Sequence, residues 1–396
     1  MACQPAQGRQ AGRGHVLFVN HFGGLSGAER SMVELAVALQ GAGHQITLCV
    51  PGGGQLEAEA ERRELRIAEL PGLSLTHRRS LLWNLGRLLK ATAVYGGVLR
   101  QSRPDLVVAN SLQAAILCSL VPLWRRRTPI IWHYRYDFPV TRGNRLLVAS
   151  GALRMRRLVL IAPGMRWGAQ ALGVPDRKLV VIRNAVDLTS FSPLSAAQRA
   201  AVRARYGVTD PSTKVMVSVG QICERKNQAD AVRGLARVKA LGMGARLWLL
   251  GSPLDEDGAR YEVSLRGLAK ELGLESDVLF AGQTDDVPAV LAAADVLLHT
   301  AQSEAFGRVL VEAMACELPV IASDTVGARE IIVPGVTGYV FPNGDLDALA
   351  SSLSAVLRNG QLAASMGRAG WLRAHEEFSI QRLTSEFTSV LSDLDP

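Results

Sequence analysis

Cysteine is scarce in this sequence and follows no pattern. The five cysteines are Cys3, Cys49, Cys118, Cys223 and Cys316, and no two of them are spaced as a CxxC pair. Isolated thiols in odd number indicate neither a disulfide framework nor a zinc site. We therefore expect ordinary core or loop thiols, as in a protein of the reducing cytoplasm.

Long apolar runs are absent as well. A membrane-spanning helix needs about 20 apolar residues, but the most apolar candidate, residues 114–124, is shorter and contains Pro122. Residues 1–13 lack the apolar segment of a secretory signal and are expected to form a loose tail. These absences predict a cytoplasmic protein that at most lies at the surface of a membrane.

Acidic residues are few in the first half of the chain. Residues 1–200 contain 26 Lys and Arg but only 11 Asp and Glu, whereas residues 201–396 contain 18 and 25. This asymmetry predicts that the first half meets an anionic partner. Nucleic acid is a poor candidate for that partner, because no DNA- or RNA-binding motif occurs.

The sequence does contain a regular alternation of short β-rich apolar segments and helical segments, which is typical of parallel α/β sheets. Strands are predicted at residues 15–20, 45–50, 105–109, 130–132, 158–161 and 179–182, and again at 215–219, 247–250, 278–280, 296–299 and 320–322. Helices are predicted at residues 27–39, 196–206, 229–241, 262–272 and 308–315. The predicted fold class is α/β, with two doubly wound Rossmann-like domains facing across a cleft.

The domain boundary is predicted between the two series of strands. We expect an N-terminal domain at residues 14–190, a linker at 191–212 and a C-terminal domain at 213–375. A C-terminal helix within residues 376–396 is expected to pack back toward the N-terminal domain. Ligands of doubly wound sheets bind outside the carboxyl ends of the strands, so residues that follow strands are the candidates for chemistry.

The first such candidate is the turn Asn-His-Phe-Gly-Gly-Leu-Ser-Gly-Ala-Glu-Arg at residues 20–30. The glycines of this turn, Gly27 among them, would let a diphosphate approach the amino end of the following helix. A tight strand-to-helix turn needs glycine in any case. A nicotinamide site is disfavoured, because the spacing is not GxGxxG and no acidic residue ends the second strand.

The second candidate is the basic pair Arg225 and Lys226, which follows Gly220 and Gln221 at the exit of a predicted strand. The two cations could neutralise two phosphates, one as a fork and one as a point charge. Cations at a helix start oppose the helix dipole. A bound anion therefore explains the pair better than a solvated surface does.

The third candidate is the pair Glu304 and Glu312, with Phe306-Gly307 between them at the start of an apolar helix. A separation of eight residues is about two helical turns, so both carboxylates would lie near one side. The N–H groups of the first turn would point at an incoming phosphate. The alternative is that Glu312 is simply a satisfied or surface-facing side chain.

A histidine could complete the site. His133 follows a predicted buried strand in the basic half of the chain and would reach the cleft. His21 and His299 also stand at strand exits and are rivals for the same role. A core histidine hydrogen-bonded to the backbone is the alternative for each.

Together these segments resemble glycosyltransferase family 4, the large retaining family with the two-domain GT-B fold. The resemblance runs from Ser-Gly-Ala-Glu-Arg through Arg-Asn-Ala-Val-Asp at 183–187, the Arg-Lys-Asn segment, Glu-x7-Glu and the Pro-Val-Ile-Ala-Ser-Asp behind it. It covers nearly the whole chain. It implies an enzyme that transfers a sugar from a nucleotide diphosphate sugar, by default a UDP-sugar, to a glycan, lipid-linked or small-molecule acceptor.

The resemblance also implies roles for individual residues. Arg225 and Lys226 would hold the diphosphate, Glu312 would bind the ribose, and Glu304 and His133 would stand beside the donor sugar. These implied catalytic residues are joined by donor-binding positions at Ser26, Gly27, Gly220, Gln221, Gln283, Phe306, Gly307, Arg308, Val309 and Glu312.

The family pattern is broken at one position, because many relatives carry a basic residue where this chain has Gln221. Stabilisation of the leaving group would then rest more on the basic pair at 225–226. The family implies front-face attack with retention of configuration and no bound metal or other cofactor. The polar segment Asp255-Glu-Asp257 is expected to be a solvated loop.

The acceptor side is less determined. Residues 77–90 have the pattern of a basic amphipathic helix, and residues 123–127 add a second basic and partly apolar segment. Such features favour an anionic membrane surface or a lipid-linked pyrophosphate acceptor. The same helix could equally pack on the sheet with its arginines outward.

Two other classes of function fit the same architecture. One is a non-hydrolysing nucleotide-sugar epimerase, which would use carboxylates and histidines to eliminate and re-add the nucleotide. The other is a catalytically silent binding protein at a membrane surface. The Ser-Gly-Ala-Glu-Arg turn, together with intact Lys226, Glu304 and Glu312, favours sugar transfer over both.

Overall fold

The computed structural model describes residues 14–72, 81–120, 128–136 and 138–392. They fall into two compact units, of which the first combines the chain up to Asn184 with the segment from Ile380 onward, and the second is Ala185–Ser379. The predicted tail at 1–13, the basic segment at 123–127 and residues 77–80 of the predicted basic helix lie outside the described residues.

The described part of the first unit contains a seven-stranded parallel sheet in the order β3-β2-β1-β4-β5-β6-β7. Its strands are β1 (His15–Val19), β2 (Gln45–Pro51), β3 (Arg66–Leu70), β4 (Leu106–Ala109), β5 (Ile130–Tyr134), β6 (Arg157–Leu160) and β7 (Leu179–Val181). Its helices are α1 (Gly27–Gly41), α2 (Gln55–Arg62), α3 (Leu81–Ser102), α4 (Leu112–Leu120), α5 (Arg142–Ala152), α6 (Met165–Ala171) and α15 (Ile380–Ser392).

The described part of the second unit contains a six-stranded parallel sheet in the order β10-β9-β8-β11-β12-β13. The strands are β8 (Lys214–Val219), β9 (Ala245–Leu250), β10 (Val278–Gly282), β11 (Val296–His299), β12 (Val320–Ser323) and β13 (Gly338–Phe341). The helices are α7 (Ala196–Arg205), α8 (Gln228–Ala240), α9 (Glu256–Glu271), α10 (Val287–Ala293), α11 (Arg308–Ala315), α12 (Val326–Ile331), α13 (Leu346–Arg358) and α14 (Gly360–Glu377).

The central strands form because their apolar side chains are buried on both faces of each sheet. Every residue of β1, β4 and β11 is buried, as expected for parallel strands covered by helices on both sides. Both sheets reverse their strand order beside the first strand of the unit, which is the doubly wound pattern predicted above.

Two edge strands, β3 and β13, are not among the predicted strands. Strand β3, Arg-Ile-Ala-Glu-Leu, has only Leu70 buried and pairs with β2 at one edge of the sheet. Strand β13 begins at Gly338, where a Cβ atom would lie 2.0 Å from the carbonyl oxygen of Val320. Arg66 and Glu69 interrupt the apolar residues of β3, and β13 has only three apolar residues after Gly338.

The unit boundary lies earlier than the predicted linker at 191–212. Helix α7 lies inside that segment and belongs to the second unit, because Arg199 Nη2 donates to Asp295 Oδ1 at 2.8 Å and Arg203 pairs with Asp295 Oδ2. Asp295 also accepts from the backbone N–H of Val215 at 2.6 Å. The segment is therefore anchored to the sheet rather than free.

Helix α15 packs on α1 within the first unit. Arg382 Nη2 donates to the carbonyl oxygen of Arg183 at 2.6 Å, and the ring of Phe387 lies 5.9 Å from that of His133. The last helix of the chain therefore packs against the first unit. None of the helices in the described ranges is both long and apolar enough to cross a bilayer.

Candidate active site

Two loops meet at the carboxyl edge of the second unit's sheet, where the strand order reverses between β8 and β11. The backbone N–H of Gln302 donates to the carbonyl oxygen of Arg225 at 2.9 Å. Thr300 Oγ1 donates to the carbonyl oxygen of Asn227 at 2.8 Å. These bonds join the loop after β8 to the loop after β11, at the position where doubly wound sheets bind ligands.

An ion pair lies at the centre of these loops. Lys226 Nζ is 2.5 Å from Glu304 Oε2, and the two side chains are only 16% and 17% exposed. His299 Nε2 lies 3.5 Å from the same carboxylate oxygen. Arg225 is exposed and donates from Nη1 to the carbonyl oxygen of Ser303 at 3.2 Å. Two cations and one carboxylate from separate predicted motifs are therefore adjacent.

The charge states of this cluster follow from its burial and pairing. Burial opposes ionisation of Glu304, but the neighbouring Lys226 and His299 outweigh it and hold the pKa of that carboxyl well below its usual range. Burial, with the charge of Lys226, lowers the pKa of His299. At neutral pH Glu304 is therefore ionised and the imidazole of His299 is uncharged.

Helix α11 begins directly after this cluster. Gly307 is its N-cap and has φ 87°, a left-handed conformation that favours glycine. Glu312 lies one turn along the helix from Arg308, with 3.5 Å between Oε1 and Nη2. Val309 is buried in the first turn. The positive end of the helix dipole thus adjoins the Lys226–Glu304 pair.

Phe306, a predicted donor-binding position, has a buried side chain. It is 3% exposed, and its ring packs edge-on against Phe378 with 5.8 Å between centroids. The side chain anchors the loop in the core of the unit.

The other predicted positions of this unit occupy neighbouring loops. Gly220 follows β8 with φ 150°, and the carbonyl oxygen of Gln221 accepts from Gln228 Nε2 at 2.9 Å. A Cβ atom at Gly251 would lie 2.0 Å from the carbonyl oxygen of Gly220, so that close packing of two glycine backbones shapes this loop. Gln283 is exposed and follows β10, two strands away from β8.

The predicted residues Ser26, Gly27 and His133 belong to the first unit. Ser26 is the N-cap of α1 and donates its backbone N–H to Glu29 Oε2 at 3.2 Å, and Gly27 is the first residue of that helix. Strand β5 extends to Tyr134, so His133 lies within the strand rather than after it, and its side chain is fully buried. Its expected exposure to a cleft was wrong.

The polar segment at 255–257 is also different from the prediction. Asp255 caps α9 by accepting from the backbone N–H of Gly258 at 2.8 Å, so the segment starts a helix instead of forming a loop. Across the described ranges, no three His, Cys, Asp or Glu side chains are grouped as a metal site would require.

Four residues near the carboxyl edges of the two sheets were not predicted as site residues. Arg135, Asn110 and Asn184 are buried at the carboxyl edge of the first unit's sheet. Gly327 hydrogen-bonds the loop that carries Glu304. The available signal was their position directly after a strand or, for Gly327, a glycine inside a helical segment.

Two sequence families match the chain. Residues 25–190 match the family described as Glycosyltransferase Family 4, and residues 206–372 match Glycosyl transferases group 1. The two matches cover most of both units.

Curated proteins with similar sequences are glycosyltransferases by name. The lipopolysaccharide core biosynthesis glycosyltransferase LpsE of Rhizobium meliloti (strain 1021) is 27% identical over 94% of this chain and 97% of its own length. The N-acetyl-alpha-D-glucosaminyl L-malate synthase of Bacillus anthracis is 29% identical over 56% of this chain and 55% of its own. A GDP-mannose-dependent monoacylated phosphatidylinositol monomannoside mannosyltransferase of Corynebacterium glutamicum is 32% identical, again over about half of each chain, 52% and 54%.

Solved structures share the fold at lower identity. Anabaena Alr3699/HepE in complex with UDP and glucose superposes with a TM-score of 0.84 at 23% identity, over 95% of this chain and 99% of that one. WaaG, a glycosyltransferase of lipopolysaccharide biosynthesis, superposes with a TM-score of 0.71 at 18% identity, over 95% and 99%.

Proposed function

The chain belongs to glycosyltransferase family 4 and has the GT-B fold, and on that premise we propose that it transfers a sugar from a nucleoside diphosphate sugar to an acceptor hydroxyl with retention of configuration. The observation that carries the proposal is the Lys226–Glu304 ion pair, which adjoins the amino end of α11 at the edge where such sheets bind ligands.

The leaving group is the nucleoside diphosphate. When the bond between the anomeric carbon and the phosphate oxygen breaks, negative charge develops on the phosphate, and Lys226 and Arg225 would stabilise it. The first turn of α11, which includes Gly307, Arg308 and Val309, adds the positive end of a helix dipole. Lys226 is already paired with a carboxylate, so a bound diphosphate would compete with Glu304 for the ammonium.

Glu304 is suited to a second task. Its carboxyl has a pKa well below the usual range and stays ionised at physiological pH, so it cannot serve as a general acid. A fixed carboxylate would instead stabilise the positive charge that the sugar carries in the transition state. The acceptor hydroxyl would then attack the anomeric carbon from the face that the phosphate leaves, and its proton would pass to the departing phosphate oxygen. This assignment uses side chains and a helix end, with Glu312 left to bind the ribose, and no metal ion.

The names of similar proteins indicate two different candidate donors. Alr3699/HepE was solved with UDP-glucose, whereas mannosyltransferase relatives are GDP-mannose-dependent by name. We take a UDP-sugar as the default donor, with Gln283 near the base. Thermal shift and calorimetry with UDP-glucose and GDP-mannose test this directly, and we expect the UDP compound to bind. Binding of neither would contradict the proposed function, and binding of GDP-mannose alone would correct the base.

We further propose that the first unit contacts an anionic membrane that holds a lipid-linked acceptor. Leu146 and Leu153 on and after α5 are each 74% exposed, and seven residues, or two turns, separate them. The exposed Arg142 and Arg145 lie on the same helix. Apolar side chains flanked by arginines are typical of helices that lie in a membrane interface.

Vesicle flotation tests this contact. The parent protein should float with vesicles that contain phosphatidylglycerol and not with phosphatidylcholine alone, and a Leu146→Glu/Leu153→Glu variant should lose binding. Leu254→Glu is the matched control, because Leu254 is 66% exposed on the second unit. Equal flotation of the double variant and the control would refute this surface.

A further inference from the structure

His299 is a buried histidine beside the Lys226–Glu304 ion pair of the second unit. It is the last residue of β11 and is 3% exposed. The sheet fixes its backbone, because His299 is in register with Ala322 of β12 and its carbonyl oxygen accepts from Ser323 Oγ at 3.3 Å. Lys226 and Glu304 belong to the loops that follow β8 and β11. The imidazole is therefore held by the sheet, whereas its two charged neighbours are held by loops.

The carboxylate of Glu304 lies beside two nitrogen atoms at different distances. Its Oε2 is 2.5 Å from Lys226 Nζ and 3.5 Å from His299 Nε2. The first distance is that of a short charge-assisted bond, whereas the second exceeds the roughly 2.7–3.2 Å of a well-formed N–H···O bond. Lys226 is therefore the direct partner of the carboxylate in this structure, and His299 lies just beyond bonding distance.

The ring nitrogen that lies beside Glu304 is a donor in waiting. His299 Nε2 is buried and makes no hydrogen bond within the described residues. An ionised carboxylate only accepts hydrogen bonds, so a neutral imidazole beside it is favoured with its single proton on Nε2. A buried N–H that lacks a well-formed hydrogen bond is costly. A second arrangement of the cluster, in which Nε2–H bonds to Glu304, would remove this cost.

A bound diphosphate would favour that second arrangement. It would draw the ammonium of Lys226 toward its phosphate oxygens, and Glu304 would lose its direct partner. The side chain of Glu304 is only 17% exposed, and a largely buried carboxylate without a partner is strongly destabilising. His299 Nε2–H lies beside the same oxygen and can replace the ammonium after a small movement of the carboxylate.

We propose that His299 is a positioning residue that takes over Glu304 when a diphosphate engages Lys226, with Nε2–H donating to Oε2 and holding the carboxylate in place during transfer. The diphosphate and the task of Glu304 rest on the proposed function. The exchange of partners itself rests on contacts within the second unit. His299 neither contacts the sugar nor transfers a proton in this exchange.

Nitrogen NMR of the full chain labelled with 15N-histidine tests the donor without any ligand. His299 is assigned by comparison with a His299→Gln variant. We expect Nε2 to be protonated and Nδ1 to be unprotonated at pH 7 in the parent protein. An unprotonated Nε2 would overturn the proposal, because a bare nitrogen cannot donate to a carboxylate.

A Lys226→Met variant imitates the withdrawal of the ammonium by a ligand. Among the described residues, the charged groups that act on His299 are Lys226, Glu304 and Arg225. The pKa of His299 should rise when Lys226 is lost and Nε2–H pairs with the carboxylate. It should rise much less in Lys226→Met/Glu304→Gln, where the carboxylate is also gone. An equal rise in both variants would overturn the exchange, since His299 would then respond only to the charge of Lys226.

Calorimetry tests the exchange in the complex, with UDP as the ligand, or with GDP if only GDP-mannose binds in the donor screen. His299→Leu removes the N–H donor, and we expect it to weaken nucleotide binding by about tenfold in the parent. In a Glu304→Gln background the same change should have much less effect, because a neutral amide needs no replacement partner. His299→Gln retains an N–H donor and should restore most of the affinity.

His44→Leu is the matched control. His44 is 6% exposed, and its Nδ1 has no hydrogen-bond partner among the described residues. It precedes β2 and so lies at the amino edge of the first unit's sheet, whereas His299 lies at a carboxyl edge. The His44→Leu variant should bind the nucleotide as tightly as the parent does.

The two kinds of measurement separate the possible failures. An equal loss of affinity from His299→Leu in both backgrounds would contradict the proposal, since His299 would then act without Glu304. If neither nucleotide binds, the proposed function fails, whereas NMR of the parent and of Lys226→Met still decides whether His299 can take over Glu304. Those NMR measurements do not require His299→Leu to fold.

Discussion

The backbone N–H of Gly327 donates a hydrogen bond of 2.9 Å to the carbonyl oxygen of Glu304. A Cβ atom at residue 327 would lie only 2.0 Å from the carbonyl oxygen of Phe306, so α12 can approach the loop this closely only because residue 327 has no side chain. The position of Glu304 beside Lys226 is therefore set from two sides, by the ion pair and by this glycine.

Replacement of Gly327 by alanine should displace the loop that carries Glu304. A shift of about 1 Å in a catalytic group costs on the order of 100-fold in rate, and we expect a loss of that size in the initial rate of transfer. Gly267→Ala is the control, because a Cβ atom there meets nothing within 4 Å in the middle of α9. That variant should keep its rate and unfold at a slightly higher temperature. Full activity of Gly327→Ala would show that the loop position is unimportant.

Glu304→Gln should separate binding from turnover. The variant removes the carboxylate that competes with a phosphate for Lys226, so UDP should bind at least as tightly as it does to the parent. The charge that stabilises the sugar in the transition state is lost, and transfer should fall by about 100-fold or more. Calorimetry measures the affinity for UDP, and initial rates measure transfer. A weaker affinity for UDP with an unchanged rate would reverse our assignment.

The anchoring of α7 predicts a stability effect far from the site. Asp295→Ala would leave Arg203, which is buried, without its carboxylate partner. Loss of one partner of a buried ion pair costs about 3–5 kcal/mol, which denaturant unfolding would measure. Asp347→Ala is the control, because that ion pair with Arg237 is exposed and should contribute little. Equal effects of the two variants would argue against the anchoring role of α7.

His21 predicts a loss of stability in acid. Burial lowers its pKa to about 4, whereas its pKa in the unfolded chain is near 6.5, so below pH 6.5 the unfolded state binds more protons. The free energy of unfolding is therefore unaffected by His21 above pH 6.5. It decreases as the pH falls toward 4, by up to about 3 kcal/mol. His133 is buried in the same unit and acts in the same direction. The free energy of unfolding should differ less between pH 7.5 and pH 4.5 for His21→Gln than for the parent protein. An identical difference for the two proteins would contradict this role of His21.

Much of the second unit's site was predictable because its charged residues lie in short sequence motifs. Lys226 and Glu304 each stand in a short motif directly after an apolar strand, and the doubly wound pattern places those two strands side by side. Strand β3 was missed because Arg66 and Glu69 interrupt its apolar residues, and β13 was missed because its apolar run is only three residues long. The burial of His133 was also missed, since the length of β5 depends on its pairing with β6 rather than on its own residues.

Other features depend on contacts between distant segments. Arg135 donates hydrogen bonds to Asn110 and Asn184, which lie far from it in the sequence. No local pattern shows that these side chains share hydrogen bonds. The same holds for Asp295 and α7, because the Ser- and Ala-rich sequence of that segment is typical of a linker. In both cases the sequence contained the polar residues, and only the fold showed their partners.

The most direct test of the central claim is the affinity for UDP and the rate of sugar transfer of a Lys226→Ala variant, compared with Lys270→Ala. Lys270 is exposed in the last turn of α9, at the end of that helix away from the site loops. We predict that Lys226→Ala weakens UDP binding by about tenfold or more and lowers transfer further, whereas Lys270→Ala matches the parent. Parental affinity and rate in a folded Lys226→Ala protein would contradict the claim that Lys226 holds the leaving diphosphate.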